Sequence, residues 1–220
     1  MNLPDDVAIR TSDHHGSELA SLYLLWGDWL KALGEVRDEL HDGMLSAEAC
    51  FQASTFDSLH GYYRPALSNL RTAMELIVIG ALGNLKPADS DYQRWQRQNV
   101  GSLPLSSCVK KLRRATKPPV SQLVFTPGGW LEMFYQELCA YAHCRPDASD
   151  GEMWASSGPV YDTGAFNKVF QLQLSTYGAC YVLAKVGRPR LVLEKSSEFL
   201  FTTAKLLAYD EIAASYQAIS

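Results

Sequence analysis

Almost every long stretch of this chain carries apolar residues at steps of three and four, a spacing that allows little except α-helix. Between residues 17 and 40 they fall at Leu19, Leu22, Tyr23, Trp26, Trp29, Leu30, Leu33 and Val36. These share one stripe, so an amphipathic helix is expected to about Leu40, with Asp42-Gly43 breaking it. Ser46 is placed to cap a second helix that buries Cys50, Phe51, Phe56, Leu59 and Tyr63. His60-Gly61-Tyr62-Tyr63-Arg64-Pro65 then reads as a helix end, a tight corner and a restart. Pro65 suits the first helical position, where its missing N–H costs nothing. The third helix is apolar at Leu67, Leu70, Met74, Ile77, Val78 and Ala81, and Gly83-Asn84 closes it.

Further helices are expected over 104–116, 130–144, 165–186 and 197–209, with a short polar one over 89–98. Residues 190–194 read as a short strand or an extended link, and no other stretch suggests a strand. The fold class that follows is all-α: an up-and-down antiparallel bundle of six or seven helices. A polar leader, residues 1–16, is expected to be flexible, and 17–220 to form a single domain. A chain of 220 residues buries a sizeable core without disulfides or metal.

The formal charge of −4 does not mark the whole molecule as a nucleic-acid binder. The five cysteines (Cys50, Cys108, Cys139, Cys144 and Cys180) are scattered and form no C-x-x-C pair, which suits reduced thiols. The N-terminus has no apolar signal core, and the longest strongly apolar run, Leu76 to Leu82, is short for a membrane span. A cytoplasmic protein without membrane attachment is the expectation. Phosphate-loop, dinucleotide and nucleophile-elbow motifs do not occur, so nucleotide folds and α/β-hydrolases are poor readings and no cofactor is expected.

Three groups of residues can carry chemistry. Arg71 lies inside the margin of the third helix's apolar face and Glu75 just beyond it, four residues apart and able to touch. A charge at a core margin needs a partner, so the pair is either a structural clamp or part of a site. His143 ends the 130–144 helix and points away from its apolar face, along the line of Cys139, Gln136 and Glu132. With Arg145 it either answers the helix dipole or serves as acid, base or phosphate contact. Cys139, His143 and Cys144 match no common zinc spacing. Lys110, Lys111, Arg113, Arg114 and Lys117 form the densest basic run, either a solvated helix face or a phosphate-binding edge. Trp154, in the long irregular segment 146–163, is placed as a lid over a pocket.

Taken with the corner Gly61-Tyr62-Tyr63-Arg64-Pro65-Ala66, the run Leu70-Arg71-Thr72-Ala73-Met74-Glu75 and the helix end Leu138-Cys139-Ala140-Tyr141-Ala142-His143, the chain resembles the HEPN superfamily over about residues 45–186. That resemblance implies a homodimer and metal-independent RNA cleavage, in anti-phage defence or toxin–antitoxin settings, with RNA and a partner protein from the same operon as associates. In that family four to six residues intervene between the arginine and its histidine. Here His143 matches, but Leu138, Glu137 and Gln136 occupy the arginine positions. In place of the missing arginine, Arg71 or Arg145 is the candidate for the positive charge, with Glu75 to orient it and the basic helix to hold the RNA backbone. The other reading is a non-catalytic helical module that dimerises or docks on a partner.

Overall fold

A computed structural model describes residues 3–97, 103–143, 158–192 and 207–219. Among them lie α1 (Pro4–Glu35), α2 (Leu40–Leu59), α3 (Tyr63–Leu85), α4 (Ser90–Gln96), α5 (Leu105–Ala115), α6 (Val120–Leu123), α7 (Trp130–Ala142), α8 (Thr163–Gly187) and α9 (Asp210–Ile219), and no strand. The all-α architecture follows from the periodicity.

Helix directions can be read from contacts. Trp26 reaches Glu48 and Trp29 reaches the Met44 carbonyl, so α1 and α2 are antiparallel. Asp57 holds Asn69 at one end of the α2–α3 pair, while Gly43 meets Gly80 at the other, so these are antiparallel too. Tyr135 and His143 meet Glu75 and Arg71, which sets α7 antiparallel to α3. The α8 helix runs parallel to α3: the Tyr63 hydroxyl bonds Asp162 at one end, and Asn84 bonds the Gly187 carbonyl at the other. In chain order the five longest helices therefore alternate in direction.

The core is aromatic at its centre. Trp29, Phe51, Tyr177 and Tyr181 pack ring to ring, with Phe51 stacked on Tyr177 at 3.9 Å between centroids. Helix α3 packs against α2, α5, α7 and α8. It is the one described helix long and apolar enough to cross a membrane, and 67% of its most apolar window is buried inside the bundle. Glycines let its neighbours approach. A Cβ on Gly43 would stand 2.8 Å from the Leu76 carbonyl oxygen, and one on Gly83 would meet the Tyr92 ring.

Several boundaries differ from expectation. The leader is helical: α1 starts at Pro4, and Val7, Thr11 and His15 are buried. His15 leaves helical geometry and kinks the element, stacking its ring on Phe166 at 4.2 Å. Asp42 and Gly43 do not break a helix but belong to the first turn of α2, where the small glycine serves packing. Ser46 is therefore interior and caps nothing. The expected 197–209 helix lies mostly outside the described residues, and 207–209 are not helical, whereas the following tail is.

Candidate functional site

Helices α3 and α7 place the site. Arg71 and Glu75 sit near the middle of α3, both half-buried. Helix α7 descends past them and ends at Ala142, and the next residue, His143, forms its C-cap with an N–H bonded to the Cys139 carbonyl. Arg64, just past the corner, donates its Nε to the Ala142 carbonyl at 3.1 Å. This side chain satisfies one of the carbonyls that a helix end leaves unpaired, and it fixes the position of His143.

The two sequence-predicted groups meet. The Arg71 guanidinium lies 3.0 Å from His143 Nε2, although 72 residues separate them. A guanidinium only donates, so Nε2 is the accepting atom of this contact. Arg71 Nε stands 3.5 Å from Glu75 Oε1. That contact is an ion pair without hydrogen-bond alignment, and the buried Nε has no hydrogen-bond partner among the described residues. Glu75 Oε1 also accepts a short hydrogen bond, 2.5 Å, from the Tyr135 hydroxyl. Burial, the hydrogen bond to Glu75 and the carboxylate's charge all push the Tyr135 hydroxyl far above its ordinary value.

The arrangement is a line of four side chains, Tyr135–Glu75–Arg71–His143, running from half-buried to exposed. No sequence pattern marks Tyr135 as part of this cluster. Its phenol is what holds the Glu75 carboxylate from behind. Arg145, the other cation considered for this role, lies outside the described residues, as do Cys144 and Trp154. No group of three metal-ligating side chains occurs among the described residues.

The basic run does not join this cluster. Lys111 gives its ammonium to Asp89 and Asp91, each at 2.6 Å, and so ties α5 to the start of α4. Lys110, Arg113, Arg114 and Lys117 are exposed. The Asp89 anchor lies beyond the C-terminal end of α3, and Arg71 stands 14 residues before that end, about 21 Å along the helix axis. Four cations remain on an open face, at the far end of α3 from His143.

Comparison with models of protein families, with characterised proteins and with solved structures finds no match to the chain.

Proposed function

We propose that the Arg71–His143 cluster is a metal-independent site for cleaving RNA phosphodiesters. The observation that carries this reading is the 3.0 Å contact between an exposed helix-end histidine and a half-buried arginine backed by a carboxylate. An RNA phosphate competes with His143 for the guanidinium, because a dianionic phosphorane is a stronger acceptor than a neutral imidazole. Once Arg71 turns to the phosphoryl oxygens, the Nε2 lone pair is free to take the ribose 2′-hydroxyl proton. The 2′ oxygen attacks phosphorus, the bond to the 5′ oxygen breaks, and water protonates that leaving oxygen. The products are a 2′,3′-cyclic phosphate and a 5′-hydroxyl. Glu75, held by Tyr135, limits how far Arg71 swings. Lys110, Arg113, Arg114 and Lys117 provide a backbone-binding face for an RNA that runs along α3 from His143.

The resemblance to HEPN domains adds a homodimer in which two such helix ends face one another, in a defence or toxin–antitoxin setting. The test is incubation of the purified protein with a mixed RNA pool in the presence of a chelator, beside His143→Ala and Arg71→Met. Cleavage by the parent and its loss in both variants is the expected result. Equal cleavage by parent and variants, or none by the parent, sinks the reading.

A second reading rests on the saturation of the same groups: Glu75 is held from two sides and Lys111 from two sides. Such pairing suits a rigid, non-catalytic module that docks on a partner protein. Under that reading the two substitutions leave RNA untouched and change stability alone.

A further inference from the structure

A second feature is lined by neither α3 nor α7. Between α1, α2 and α8 there is a groove of about 500 Å³ that contains none of the Arg71 cluster. That volume is in the range of small-molecule sites. Phe51 and Tyr177, stacked on one another, line it from the core. Tyr23 and Trp26 pack together on the α1 side, and Phe56 stands on the α2 side. Tyr23 is 69% exposed and Phe56 61%, so the groove opens to solvent between large aromatic rings.

No charged side chain lines it, but one carboxylate, that of Glu48, borders it. Trp26 Nε1 and Gln52 Nε2, both from lining residues, donate to Glu48, and both bonds converge on Oε1. No donor reaches Oε2, and no cation pairs with Glu48, among the described residues. Tying α1 to α2 uses only Oε1. Glu48 is close enough to the floor for its charge to add to burial in raising the Tyr177 hydroxyl. Aromatic faces and an unneutralised carboxylate together favour a cation that carries apolar bulk, since ring quadrupoles and the carboxylate attract the same charge. An anion meets repulsion there, and a neutral molecule gains nothing from Glu48.

We propose that this groove binds a small apolar molecule bearing one ammonium group, its body against the aromatic rings and its cation directed toward Glu48 at the groove's border. The charge of Glu48 selects this occupant over an acyl chain or a fatty acid, which the apolar walls alone would admit.

Three matched probes test it by titration calorimetry at low salt: 4-phenylbutylamine, 4-phenylbutanol and 4-phenylbutyrate. The amine is expected to bind about tenfold more tightly than the alcohol, and the butyrate more weakly than either. Glu48→Gln keeps an acceptor for Trp26 but removes the charge. It is expected to bring the amine down to the alcohol's affinity and leave the alcohol unchanged. Thr55→Phe, which fills the groove, is expected to abolish binding of both. Far-UV circular dichroism and urea unfolding establish that each variant is folded. An amine that binds no better than the alcohol, or keeps its advantage in Glu48→Gln, overturns the proposal. So does the absence of binding by all three. A dimer in sedimentation that Thr55→Phe dissociates also overturns it, because a second copy then covers the groove.

Discussion

Replacing Gly43 with alanine should destabilise the protein, against the usual direction for a glycine inside a helix. On an open helix face this change gains up to about 1 kcal/mol, because alanine has less backbone entropy to lose. At Gly43 the added methyl would stand 2.8 Å from the Leu76 carbonyl oxygen and 3.3 Å from the Gly80 Cα. Both obstacles are main chain of α3, so neither can rotate aside. Overpacking of this kind costs about 1–3 kcal/mol, and contact with a fixed carbonyl belongs at the upper end. Subtracting the propensity gain leaves a net loss of about 2 kcal/mol, equivalent to about 4–8 °C in Tm for a chain of this size. Gly27, in α1, has nothing within 4 Å of an added Cβ and serves as the control. Gly27→Ala should raise Tm by about 2–4 °C. Urea unfolding followed by far-UV circular dichroism measures both variants against the parent. A Gly43→Ala protein as stable as the parent, or less destabilised than Gly27→Ala, would refute the packing of α2 on α3 described above.

Gly61→Ala should cost more than about 2 kcal/mol, since φ is +77° and a Cβ would overlap the Val160 carbonyl; thermal unfolding gives the loss directly. Lys111→Met should cost about 1 kcal/mol at neutral pH. Burial pushes the Asp89 carboxyl up, but Lys111 and the N–H groups of Tyr92 and Asp91 outweigh it and hold it below its ordinary value. A lowered folded value stabilises fully above the unfolded carboxyl's range, near about pH 4, and is lost as pH falls through the folded value. Parent and Lys111→Met stabilities, measured in urea from pH 7 downward, should therefore converge at acid pH. Tyr135→Phe should cost about 1–2 kcal/mol, because Glu75 loses its short hydrogen bond. A double-mutant cycle with Glu75→Gln should show coupling of about 1 kcal/mol, and strict additivity would break the Tyr135–Glu75 link.

Helix identity was legible because burial imposes a period, and the period survives in the choice of Leu, Ile, Val and aromatic residues along α2, α3 and α8. Residues 4–16 escaped because the side chains that bury there are Val7, Thr11 and His15, two of them polar. Thr11 bonds its own helix and His15 stacks on Phe166, partners that no local pattern announces. Arg71 and Glu75 could be found on a helical wheel, and His143 at a helix end. Their meeting depends on how α7 lies against α3, which periodicity does not encode. Lys111 looked like its basic neighbours, since the carboxylates that hold it lie 20 and 22 residues upstream. Tyr135 carries no local sign of its role, because nothing in the sequence shows where a phenol's oxygen will find its acceptor.

The corner between α2 and α3 does more than turn the chain. Arg64 grips the end of α7 at Ala142, while Gly61 and Tyr63 take hold of Val160 and Asp162 at the entry to α8. One short stretch thus acts as a common mooring for both ends of the connection from α7 to α8.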